Sequence, residues 1–111
     1  MQLPHECELI RVFIGESDRN GGRPLYEIIV ETARKKGLAG ATVLRGVMGF
    51  GAKSRIHTSK ILRLSEDLPI IIEIVDATEK IEAFLPELQT LVKDGLITIE
   101  KARVLAYRSG E

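Results

Sequence analysis

The chain has 111 residues, enough for one domain with a real core, and its 16 basic residues balance 16 acidic ones to a formal net charge of zero. Such a balance excludes a protein that embraces nucleic acid or an anionic membrane through bulk charge. No apolar run approaches the roughly 18 residues that a membrane helix needs, and the start MQLPHECE lacks the basic-then-apolar order of a signal peptide. The single Cys7 cannot form an internal disulfide, which suits a reducing compartment. The expectation is one cytoplasmic domain covering residues 1–111.

Cys7 to Ile14 (CELIRVFI) reads as a strand, nearly continuous in apolar character as a central strand is. Gly15 to Gly22 is a polar connection, with Asn20-Gly21-Gly22 its strongest breaker. Pro24 suits the first turn of a helix. Leu25, Ile28, Ile29 and Ala33 then form one apolar stripe, Lys35 and Lys36 fill the last turn, and Gly37 closes it. Ala41 to Met48 is the second strand, in which Gly46 marks a bulge or a close contact.

About 18 residues follow Phe50 before the next clear strand, a length that usually serves function or motion. Lys60 to Leu64 is a candidate extension of the hairpin. Ala52 to Ser59 holds only Ile56 as a large apolar residue, so little burial secures it without a ligand. Pro69 to Val75 (PIIIEIV) is the most apolar strand. Asp76 is expected to cap a second helix, with Glu79 completing a capping box. That helix carries the stripe Ile81, Phe84, Leu85, Leu88, Leu91 and Val92, and Pro86 predicts a kink or break within it. After an Asp94-Gly95 turn, Leu96 to Tyr107 is the last strand, and a parity shift at Glu100 and Lys101 predicts a bulge.

The order β-α-β-β-α-β folds into a ferredoxin-like α+β sandwich with a long loop between its second and third strands. Two helices cover one sheet face. The other stays uncovered although the strands are apolar on both faces, as Ile70-Ile71-Ile72 shows, so self-association is the simplest remedy. The segment Gly37 to Gly51 (GLAGATVLRGVMGFG) leads into a loop carrying Lys53, Arg55, Lys60 and Arg63 with no acidic residue until Glu66. Glycines beside clustered cations read either as an anion site or as a solvated hairpin loop. His5 and His57 lack zinc-ligand spacing, and His57-Thr58-Ser59 offers no third group for nucleophilic catalysis. No catalytic residue and no metal ligand is assigned. Cys7 reads as a small buried hydrophobe.

GATV, the GFG turn with its basic loop, the Asp94-Gly95 turn and the ending RVLAYRSGE resemble the PII-like superfamily of trimeric signalling proteins. The resemblance is closer still to a branch of small uncharacterised members. It covers roughly Glu8 to Tyr107 and implies a homotrimer whose sheets pack around a central core. It also implies an adenine nucleotide as effector, bound between neighbouring subunits at the base of the long loop, and regulation of a protein partner such as a membrane transporter or channel. Carried over by position, Thr42 faces the base or ribose, and Gly49 and Gly51 let the backbone approach. Gly95 opens a phosphate-contacting turn, and Arg108 pairs with phosphate.

The chain departs from that pattern in three places. Ala52, Leu96 and Ala106 stand where nitrogen-regulatory members carry cations, and Lys53, Arg55 and Arg103 are the candidate replacements. The tyrosine uridylylated in that branch is missing from the loop. The alternative is a ferredoxin-like nucleic-acid-binding or purely structural interaction module. Nucleic-acid recognition would need stacking aromatics on the central strands, where Phe13 stands alone, so no nucleic-acid partner is expected.

Overall fold

The computed structural model describes residues 3–51 and 67–110. Lys53 and Arg55, the hairpin extension at Lys60 to Leu64 and the order of Ala52 to Ser59 lie outside the described residues. In chain order the elements are β1 (Glu6–Gly15), β2 (Arg19–Asn20), β3 (Arg23–Pro24), α1 (Leu25–Lys35), β4 (Thr42–Arg45), β5 (Pro69–Asp76), α2 (Thr78–Leu91) and β6 (Leu96–Arg103). Strands β4, β5, β1 and β6 lie side by side in that order, every neighbouring pair antiparallel. This is the ferredoxin-like α+β sandwich.

Alternation along the central strands decides the core. Ile10, Val12 and Ile14 of β1 stand opposite Ile74, Ile72 and Ile70 of β5, and all six are buried beneath the helices. Leu25, Ile29 and Ala33 of α1 and Ile81, Phe84 and Leu88 of α2 close over them. Each large side chain so buried contributes about 1.5–3 kcal/mol. The end of α1 follows from Gly37, whose φ of +79° suits glycine alone. Its N–H donates to the Arg34 carbonyl at 3.0 Å, and Leu38 N–H reaches the Ala33 carbonyl at 3.1 Å, a Schellman closure that turns Leu38 into the core.

Several boundaries differ from expectation. The connection after β1 contains a small ribbon, β2 with β3, turned by Gly21 and Gly22 at φ of +60° and +84°, the signs a two-residue type I′ loop requires. Pro24 therefore ends β3 and precedes α1 instead of lying inside its first turn. Strand β4 stops at Arg45, short of Met48, because β5 begins at Pro69 and offers nothing further to pair with. Gly46 N–H makes the last bond, to the Pro69 carbonyl at 2.7 Å. The β4–β5 register is unbroken, so Gly46 marks a close contact and no bulge: a Cβ there would meet Pro69 Cγ at 2.7 Å.

Asp76 does not cap α2. It is the buried last residue of β5, and its carboxylate accepts the Ala39 N–H at 2.9 Å and the Ala77 N–H at 2.6 Å. Ala77 occupies the cap position without a side-chain bond, so the capping box with Glu79 does not form. A long-range demand from the α1–β4 connection has won over the local one. Pro86 neither breaks nor ends α2, which runs through from Thr78 to Leu91. Pro86 and Glu82, whose carbonyl loses that donor, are both outside the core, so water can take the place of the missing N–H. Nor is there a bulge in β6: its register with β1 is continuous from Leu96 opposite Phe13 to Arg103 opposite Glu6. It ends at Arg103 instead of Tyr107 because β1 has run out, and Val104 N–H adds one further bond to the His5 carbonyl at 2.7 Å.

Candidate functional site

The end of the sheet where β1 finishes is tied together by backbone and charge. Glu16 N–H donates to the Leu68 carbonyl at 2.8 Å, and Ser17 N–H to Asp67 Oδ1 at 3.0 Å. Arg45 at the end of β4 forms an ion pair with Glu16. Both flanks of the long loop are thereby fastened to the exit of β1. Gly49 packs here, since a Cβ would stand 3.2 Å from Pro69 Cγ, whereas Gly51 faces open space. Gly95 lies at the same end. A Cβ on it would stand 2.6 Å from the Phe13 carbonyl oxygen, and its φ is +154°. These close approaches give Gly49 and Gly95 a packing reason of their own, independent of any ligand.

Thr42 lies further in, on the uncovered face of β4 opposite Glu73. Arg103 stands at the far end of β6, and Arg108 follows in an exposed tail. Tyr107 pins that tail by donating its hydroxyl to the Ala39 carbonyl at 2.6 Å. Gly95 and Arg103 are therefore separated by the length of β6, roughly 25 Å at about 3.4 Å per residue. One copy of the chain gathers Gly49, Gly51 and Gly95 near one end and Arg103 and Arg108 near the other. It does not bring the two groups to one small ligand.

A cluster at the centre of the uncovered face has no counterpart among the expectations drawn from sequence. Arg11 Nε donates to Glu73 Oε2 at 2.9 Å, and the same guanidinium pairs with Glu100. Both carboxylates hold the Arg11 pKa above its ordinary value, the Glu73 hydrogen bond most strongly. Leu9, Phe13, Ile71 and Val75 flank the cluster on the same face. The available signal was a charged residue flanked by apolar ones in the middle of each of two strands, Arg11 in ELIRVFIG and Glu73 in PIIIEIVD. Cys7, in contrast, behaves as read: it is buried, and its thiol pKa is raised by that burial and, secondarily, by Asp76. Among the described residues no three His, Cys, Asp or Glu side chains stand together to hold a metal ion. No helix among them is long and apolar enough to cross a membrane.

This β4-β5-β1-β6 sheet under two helices is a fold shared with solved PII-like proteins. CPII, a nitrogen regulatory PII-like protein from Thiomonas intermedia solved bound to ADP, AMP and bicarbonate, superposes with a TM-score of 0.65. The match covers 89% of this chain and 88% of that one at 14% identity. Residues 7–104 match the model of the DUF190 family, described as an uncharacterized ACR, and the chain belongs to that family. A UPF0166 protein of Aquifex aeolicus is 39% identical over 98 residues, which are 88% of this chain and 92% of the relative. A second UPF0166 protein, from Methanocaldococcus jannaschii, is 35% identical over 100 residues, 89% and 92% of the two chains.

Proposed function

We propose that the protein is a PII-like sensor that binds an adenine nucleotide between neighbouring copies and thereby regulates a protein partner, with a membrane transporter or channel as the partner class. The observation that carries the reading is the fold shared with CPII, a protein solved with ADP and AMP bound, along 89% of this chain. The layout of the candidate residues supports it. A homotrimer in which the loop-base end of one copy faces the Arg103 and Arg108 end of the next would join two half-sites that one copy keeps apart. In that arrangement Gly49, Gly51 and Gly95 admit the ligand, Thr42 faces its base or ribose, and Lys53, Arg55, Arg103 and Arg108 meet its phosphates.

Three cations of the nitrogen-regulatory pattern are replaced by Ala52, Leu96 and Ala106, each replacement removing about 1.5–3 kcal/mol where a charge-assisted hydrogen bond was made. A ligand with one or two phosphates, such as AMP or ADP, therefore suits the chain better than ATP. Calorimetry with AMP, ADP, ATP and cyclic AMP on wild type and on the Lys53→Ala/Arg55→Ala double variant tests this. The variant should bind more weakly by about 1.5–3 kcal/mol for each of the two cations that touches phosphate. Equal affinity in both proteins would remove those cations from the site.

A further inference from the structure

Beyond β6 the chain keeps few ties. Val104 N–H reaches the His5 carbonyl, and the Val104 carbonyl lies 3.2 Å from His5 Nδ1. From Leu105 to Gly110 one hydrogen bond is made among the described residues: the Tyr107 hydroxyl donates to the Ala39 carbonyl at 2.6 Å. Leu105 is 94% exposed, and the residues from Ala106 to Gly110 are exposed as well, so burial does not share the task. We propose that Tyr107 is a positioning residue: its bond to Ala39 holds the tail where Arg108 meets the phosphate of a nucleotide shared with the neighbouring copy. The inference rests on the nucleotide reading and adds to its site a residue that does not touch the ligand.

The acceptor is a fixed point. Ala39 N–H is held by the buried Asp76 carboxylate at 2.9 Å, and Leu38 beside it is in the core. Ala39 leads into β4, and β4 and β6 are opposite edges of the sheet, about 14 Å apart at three strand spacings. The bond therefore ties the tail of one edge strand to the lead-in of the other. Arg108 is the next residue, a step of about 3.8 Å along the chain, so what holds Tyr107 also confines Arg108. Without it, Arg108 would hang on a tail last fastened at Val104, four residues back.

One exposed hydrogen bond is a light hold. At ordinary net strength it favours the latched tail over the free one by a factor of about 2 to 12. A ligand that needs the latched tail binds more weakly in that proportion once the latch is gone. The loss stays below that from removing the Arg108 guanidinium itself, which as a charge-assisted bond is about 12-fold or more.

The test is ADP calorimetry on wild type, Tyr107→Phe, Arg108→Ala and the double variant, with light scattering and melting temperature on each. Tyr107→Phe keeps the ring and removes the donor, so assembly and melting temperature should match wild type while ADP affinity falls about 2- to 12-fold. In the Arg108→Ala background the same change should leave affinity unaltered, because Tyr107 acts through Arg108. A merely structural role would lower affinity by the same factor in both backgrounds. A second readout needs no ligand: the backbone heteronuclear NOE of Arg108 should drop in Tyr107→Phe. Wild-type affinity in Tyr107→Phe, equal losses in both backgrounds, or an unchanged NOE would overturn the proposal and leave the nucleotide reading standing. A wild type that binds no ADP would overturn both.

Discussion

Gly51 and Gly95 look alike in the sequence, each beside a turn, yet they do different work. Any side chain on Gly95 would collide with the Phe13 carbonyl, while one on Gly51 would meet nothing within 4 Å. Gly95→Ala should therefore cost about 1–3 kcal/mol in denaturant unfolding, as overpacking does, and Gly51→Ala should stay within about 0.5 kcal/mol. Similar losses in the two variants would contradict the packing described. Asp76→Ala leaves the Ala39 and Ala77 N–H groups without their acceptor, at a cost of about 1–3 kcal/mol for a buried group so orphaned. At Cys7 the raised thiol pKa has a definite sign. The folded state holds the proton, so this stability is complete below the unfolded thiol's pKa of about 8.5 and is lost as pH rises through the folded value. A thiol reagent at neutral pH should label the native protein far more slowly than the denatured chain; equal rates would show that Cys7 is not buried.

At the scale of elements, the parts legible in the sequence were those decided locally. The α1 stripe Leu25, Ile29 and Ala33, the Gly37 closure and the strongly apolar strand of Pro69 to Val75 all carry their pattern within a dozen residues. What was misread depended on distant neighbours. Asp76 has the residue type of a helix cap, but Ala39, 37 positions away, claims its carboxylate. The polar run at Glu100 and Lys101 looks like a shift of register, yet Glu100 is polar because it meets Arg11 across the sheet. The glycine-flanked loop base was visible as a candidate, whereas the Arg11, Glu73 and Glu100 cluster was not, since single charges in strands look like solvated edges until pairing brings them together. Pro86 supplies a test at this scale. Because α2 continues past it with the freed carbonyl at an exposed residue, Pro86→Ala should leave the fold intact and raise the melting temperature. A lower melting temperature would mean that the ring is needed.

At the scale of the whole molecule, the two proposed half-sites stand at opposite ends of the sheet and one sheet face is uncovered. The uncovered sheet face presents Leu9, Phe13, Ile71 and Val75 around an arginine held by two carboxylates. Covering such a face would bury the ion cluster, which is tolerable only while its partners stay matched. Arg11→Ala would leave Glu73 and Glu100 facing each other and should shift the proposed trimer towards smaller species in light scattering at micromolar concentration. A wild type that stays monomeric under those conditions would rule out self-association through this face. The most direct measurement is calorimetric titration of ADP into the wild type and the Arg108→Ala variant, with light scattering on the same samples. Expected are one ADP per chain in an assembled wild type, and binding weakened by about 1.5–3 kcal/mol in a variant that still assembles. An assembled wild type that binds no adenine nucleotide, or a variant that binds as tightly as wild type, would contradict the shared nucleotide site.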